Sequence, residues 1–175
     1  GEAVTLDDEP ENALKVFPRP MQQPEPPIWV AAFGPKALAQ AGGLGLPYLS
    51  SPMESLGTLR ENYAQHQAAA VAAGVTPPEV VPLMRTVFVS RDAAQCKQLR
   101  ESLATQADNT RLQDGETIDD WTIIGEPSFV RERVQAYQQS LGMTHIIATR
   151  IRLGGLQEPV LRASVALLAE TLDEL

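Results

Sequence analysis

Cysteine is nearly absent from this 175-residue chain, where Cys96 stands alone. One thiol excludes an internal disulfide and a multi-cysteine metal site, and it fits a reducing, cytoplasmic setting. Histidine is almost as scarce. His66 and His145 lie on separate elements with no carboxylate at ligand spacing, so no metal site is expected. Basic residues are outnumbered, with 14 Lys and Arg against 22 Asp and Glu and a net charge of −8. Phosphate binding needs a basic face, so nucleic acid is excluded as the main partner. No apolar run approaches the roughly 18–20 residues of a membrane helix. No basic flank followed by an apolar stretch marks a signal peptide. The Ser-His-Asp set, Gly-x-Gly-x-x-Gly and the phosphate loop are missing too, which removes the usual support for hydrolase, dinucleotide-fold and NTPase readings.

What is present is a chain with 43% hydrophobic residues, enough for one domain with a real core. It opens at Gly1 without an initiator Met, which reads as a processed or truncated piece. Six of its 14 prolines fall in the first 27 residues, so 1–27 is expected to be an extended or turn-rich lead-in. From 28 to 175 the pattern alternates. Short apolar runs at Ile28–Phe33, Leu46–Ser50, Val80–Val89 and Thr144–Ile151 predict strands. Helices are expected from Pro35 to about Ala41, Glu54 to Ala73, Asp92 to Ala107, Pro127 to Leu141, and Leu156 to Leu175. Pro35 and Pro127 suit first helical positions, and Gly74 and Gly142 suit helix stops. Strands alternating with helices imply an α/β fold with a parallel sheet. The stretch Asp108–Asp120 carries five acids against Arg111 and has no helical period. It is expected to be a long, mobile acidic loop.

Four such units can form a small open sheet or half of a (β/α)8 barrel. At Pro26-Pro27-Ile28-Trp29-Val30-Ala31-Ala32, leading through a short helix to Gly45-Leu46-Pro47, the chain resembles the luciferase-like, flavin-dependent monooxygenases. Ile124-Gly125-Glu126-Pro127 with Val130 and Arg133 is similar to that family's "IG-x-P" helix opening. Leu141-Gly142-Met143-Thr144-His145-Ile146-Ile147 is similar to its eighth strand, and Ser164–Glu170 to its terminal helix. The ordered set covers nearly the whole chain. The resemblance implies strands five to eight of a TIM barrel, with strands one to four absent. It implies a missing N-terminal half, as a separate or cleaved chain, or a second copy of this chain as partner. For the complete protein it implies reduced FMN from a separate reductase, O₂, and a small organic substrate that is oxidised. Two other readings stay open: a non-enzymatic half-barrel for binding or assembly, and a deazaflavin (F420)-dependent reductase of the same superfamily. The piece alone is expected to be inactive.

Active sites in such barrels sit at the C-terminal strand ends, which selects the candidates. Ala32, Phe33 and Gly34 end the first strand, where Gly34-Pro35-Lys36 opens a helix suited to a flavin phosphate. The family usually places a hydroxyl or acid at this junction, and this chain does not. Ser50 and Ser51 end the second strand and match positions near the flavin ring, or form a plain Ser-Ser-Pro turn. The third strand ends at Val89-Ser90-Arg91. Arg85, mid-strand, is either an anion contact, as in sulfonate-oxidising relatives, or an edge arginine with its stem packed on the sheet. Arg150 and Arg152 alternate with Ile151 and Leu153, so both are expected on one face, facing an anion or solvent. His145 reads as structural, His66 as packed or solvated, and Cys96 as a buried thiol.

Overall fold

The computed structural model describes residues 4–5, 13–14, 17–18, 21–107, 115–153 and 155–173. In the lead-in, β1 (Val4–Thr5) pairs antiparallel with β2 (Ala13–Leu14). Beyond it the alternation expected from the sequence is present. In order come β3 (Val30–Ala31), α1 (Pro35–Gly43), β4 (Tyr48–Leu49), α2 (Leu56–Ala72) and β5 (Pro82–Val89). These are followed by α3 (Ala93–Ala107), β6 (Thr122–Gly125), α4 (Pro127–Leu141), β7 (His145–Thr149) and α5 (Glu158–Leu172). Pro35, Pro127 and Pro159 all lie in the first turns of their helices, where a missing N–H costs nothing. Gly142 ends α4 in the left-handed conformation at φ 67°.

Every pairing among β3–β7 is parallel. β3 and β4 share only two residue pairs, fewer than the sequence pattern led one to expect. Pro26 and Pro27 ahead of β3, and Pro47 ahead of β4, carry no amide hydrogen to donate, although the Pro47 carbonyl accepts from the Val30 amide at 2.8 Å. β5 is the spine. Its lower half, Pro82–Thr86, pairs with β7, and its upper half, Thr86–Val89, pairs with β6. The strand β6 was not among the four expected from the sequence. Its four residues are too few to show a period, and it exists because β5 overshoots its neighbours.

Amides alternate along a strand, so successive residues bond to opposite edges. The Met84 amide donates to Ser50 Oγ at 3.2 Å, and the Ser90 amide donates to the Gly125 carbonyl at 3.2 Å. Both are even-numbered, so β4 and β6 lie on one edge of β5. On the other edge the Val81 carbonyl accepts from the Thr144 amide, and the Arg85 carbonyl accepts from Thr149 Oγ1. Ser50 therefore joins the β3–β4 pair to β5 through a side chain where the ladder itself does not reach.

Side chains alternate as well, and the two faces differ. Val30, Tyr48, Leu83, Arg85 and Val87 point to the helices, where all but the half-buried Val30 are buried. A large core on that side unites Leu38, Leu59, Tyr63, Val134, Tyr137 and Leu168 with the strands. The opposite face carries Ala31, Leu49, Met84, His145 and Ile147, each half-buried or exposed, with Pro82 and Thr86 of β5 buried among them. Trp29, just ahead of β3, meets the His145 ring edge-on with centroids 5.4 Å apart. That contact joins the first and last strands of the parallel series, so the uncovered face is concave. Among the described residues its upper end is closed by a second core of Phe88, Cys96, Leu103, Ile118, Trp121 and Leu153.

The acidic stretch is described from Gly115 onward. Residues 108–114 lie outside the described residues. The end expected to be loose is built into the fold: Ile118–Asp120 is a 3-10 turn capped by Thr117, with Ile118 in the second core. Asp119 pairs with Arg100, and its carbonyl accepts from Arg133.

Helices α1 and α2 approach so closely that a Cβ on Gly42 would stand 2.2 Å from the His66 carbonyl oxygen. On Gly43 the nearest atom would be 3.8 Å away. Gly42→Ala is therefore expected to destabilise the protein by about 1–3 kcal/mol in urea unfolding. Gly43→Ala is expected to be neutral or stabilising by up to about 1 kcal/mol. Equal effects of the two substitutions would contradict this packing.

Candidate functional site

The mouth of the concave face lies at the level of Met84–Thr86, lower than the end of β5. There β4 gives out beside Met84, and Thr149, the last residue of β7, pairs with Thr86. Val89-Ser90-Arg91, which the sequence marks as a strand end, is displaced upward onto the β6 side.

At the β3–α1 junction the three candidates separate. Ala32 is 1% exposed and belongs to the large core, so its side chain cannot meet a ligand. Phe33 has the opposite parity and is 72% exposed. Gly34 adopts φ 81°, a conformation that favours glycine, and a Cβ there would meet nothing within 4 Å. It opens α1 with no side chain capping the helix amides. Those amides and the positive end of the helix dipole face open space beside an exposed aromatic ring.

The β4–α2 loop divides the same way. Ser50 is 2% exposed and its hydroxyl is engaged by the Met84 amide. Ser51 follows, half-buried, with Oγ accepting from the Met53 amide at 3.3 Å. Glu54 organises the loop. One carboxylate oxygen accepts from the Ser51 amide at 2.8 Å and the Tyr48 hydroxyl at 2.7 Å, and the other from Asn62 at 3.1 Å. The sequence reading missed Glu54, Tyr48 and Asn62, which are 6 to 14 residues apart and meet only because β4 and α2 pack together. Burial raises the Tyr48 phenol well above its usual range, and the adjoining Glu54 carboxylate raises it further. Tyr63, whose hydroxyl donates to the Pro82 carbonyl, is raised too, again mainly by burial.

Arg85 is neither an edge nor a surface residue. It is 0% exposed and points to the helix side, with its guanidinium over the Tyr137 ring at 5.1 Å. The sequence places it correctly in a strand but cannot reveal which edge or face is covered. Arg150 and Arg152 do not share a face, because β7 ends at Thr149 and a turn follows. The Leu153 amide donates to the Arg150 carbonyl, and Arg152 sits at φ 66°, which ends the alternation. Arg150 lines a cavity of about 590 Å³ between β7 and α5, whereas Arg152 lines one of about 340 Å³ against α3.

The remaining candidates match the sequence reading. His66 is buried, and Nε2 donates to the Leu46 carbonyl at 2.8 Å. His145 shares a hydrogen bond with Thr144 at the lower end of β7. Cys96 is buried in the second core, and desolvation raises its thiol pKa. Among the described residues no cluster of His, Cys, Asp or Glu could hold a metal ion, and no helix is long and apolar enough to cross a membrane.

Of these strand-end candidates, Phe33 and Gly34 are exposed and Ser51 is half-buried, whereas Ala32, Ser50 and Arg85 are buried. Both raised tyrosines stay protonated in the folded state after the unfolded chain, with a value of 10.0, begins to ionise. Their contribution is complete below that pH and is lost as pH rises above it. Urea midpoints are expected to fall between pH 9 and 11, and less steeply in Tyr63→Phe. A midpoint constant over that range would contradict the burial of both phenols.

The family model described as luciferase-like monooxygenase matches residues 1–145. No curated protein matches the sequence significantly. Among solved structures, the monooxygenase RslO1 from Streptomyces bottropensis superposes with a TM-score of 0.70 at 20% identity, over 98% of this chain and 55% of that one. Apo-MsnO8 gives 0.61 at 18% identity, over 94% and 56%. The oxygenating constituent of 3,6-diketocamphane monooxygenase from Pseudomonas putida, a type II Baeyer-Villiger monooxygenase in complex with FMN, gives 0.56 at 18% identity, over 72% and 42%. The chain spans about half the length of these structures.

Proposed function

Since the chain belongs to the luciferase-like monooxygenase family, we propose that it supplies strands five to eight of a (β/α)8 barrel that works as a flavin-dependent monooxygenase. The observation that carries this reading is the uncovered concave face. A parallel sheet is stable with both faces covered, and among the described residues the lower part of this one has helices on one side, α3 covering the other face near Phe88. The other side presents Trp29, Phe33, Leu49, Met84 and Ile147, an apolar lining suited to a barrel interior. In this assignment β3, β4, β5 and β7 are barrel strands, and β6 is an addition beside the upper part of β5. The other four strands come from an N-terminal half carried on a separate or cleaved chain, or from a second copy of this one.

FMN fits the mouth. A flavin needs a flat apolar contact for its ring and backbone amides for its phosphate. Phe33, exposed beside the open helix start at Gly34, offers both within one junction. Ser51 adds a hydroxyl on the neighbouring strand. Ala32 and Ser50 act from behind, Ala32 by packing the junction and Ser50 by tying β4 to β5. When bound, reduced FMN supplies the electrons with which O₂ is activated against a small organic substrate. The chain's own task is to hold the ring, exclude water from it and fix the strand ends around it.

Titration of FMN into the assembled protein, followed by flavin fluorescence, tests the reading. Saturable binding is expected, weakened about tenfold by Phe33→Ala through loss of the aromatic contact. Absence of binding would overturn the flavin assignment in favour of a non-enzymatic half-barrel. Binding of F420 in place of FMN would move it to the deazaflavin-dependent reductases.

A further inference from the structure

Arg85 carries a permanent charge into the interior of the helix side, where an apolar residue would fit the strand at lower cost. Four hydrogen bonds compensate it. Nε donates to the Tyr137 hydroxyl at 3.1 Å. Nη1 donates to the carbonyls of Met84 at 3.0 Å and Ser51 at 3.3 Å, and Nη2 to the carbonyl of Glu54 at 2.8 Å. All four partners are neutral, so this is not an ion pair. Two of the carbonyls bracket the Ser51–Glu54 loop, which also closes on itself through the Glu54 amide donating to the Ser51 carbonyl at 3.4 Å and the Met53 amide to Ser51 Oγ at 3.3 Å. The Glu54 carboxylate grips the same loop from within, through the Ser51 amide. Arginine's planar fork can hold several carbonyls in fixed directions at once, which a lysine ammonium does less well.

We propose that Arg85 is a positioning residue: its guanidinium fixes the Ser51 and Glu54 carbonyls and so sets where Ser51 stands at the mouth. Tyr137 completes the clamp. Its ring supports the guanidinium, and its hydroxyl accepts from Nε while donating to the Asp120 carbonyl at 3.5 Å. The link from this loop to a flavin rests on the function proposed above. The clamp itself does not.

The test uses Arg85→Lys and Tyr137→Phe in the full chain, read by amide hydrogen exchange and by FMN affinity. Arg85→Lys is expected to speed exchange at the Ser51, Met53 and Glu54 amides about tenfold or more, with the α5 amides unchanged, and to raise the FMN Kd about tenfold. Tyr137→Phe keeps the ring and removes one acceptor, so it is expected to shift both readouts the same way by less. If Arg85→Lys does not fold, Tyr137→Phe decides alone. Unchanged loop exchange or uniform acceleration across the chain would overturn the clamp, and a loosened loop with unaltered FMN affinity would overturn its link to the flavin. A wild-type chain that binds no FMN would overturn the flavin reading instead, and the exchange measurement would still decide the clamp.

Discussion

A strand in a parallel sheet presents side chains to two faces, and both must be kept from water. Among the described residues the helices α1, α2, α4 and α5 cover one face, and the concave face is covered near its top. That asymmetry decides where each residue can act. On β5, Leu83, Arg85 and Val87 are buried on the helix side, while of the alternate positions Met84 is half-buried and Pro82, Thr86 and Phe88 are buried. Just beyond β3 and β4, Ala32 and Ser50 are buried while Phe33 is exposed and Ser51 is half-buried.

β5 holds the rest of the structure in register. It is twice as long as β6, and it meets different partners along its length. Below, it joins β7 and, through one serine hydroxyl, β4; above, it joins β6 and enters the second core with Phe88. From its middle, Arg85 reaches back to the loop that ends β4. A single strand thus links the barrel-like part, the β6 addition and the rim of the site. Disturbance at Tyr137 or Arg85 would be felt at Ser51, although neither side chain faces the mouth.

Much of this was legible in the sequence because proline, glycine and apolar periodicity act locally. The five helices appear where Pro35, Gly74, Pro127 and Gly142 punctuate the pattern, and the ordered motifs pointed to the right family. What was not legible depends on contacts across long separations. The covering of Arg85 is fixed by Tyr137, 52 residues away. The Glu54 cluster needs α2 folded back on β4. β6 is too short to show a period, and Arg150 and Arg152 lose their alternation to a turn that starts one residue after the strand. The mouth was readable as a set of strand ends. Which residues at each end face it depended on parity, and two residues of β3 or β4 are too few to establish that from sequence.

The central claim is that the concave face is the interior of a barrel whose other strands come from elsewhere. Native mass spectrometry at low micromolar concentration, with FMN added, tests it most directly. The account predicts an assembly larger than the 19.0 kDa chain, made with a companion half or a second copy, that retains FMN. A compact, stable 19.0 kDa monomer without flavin would contradict it.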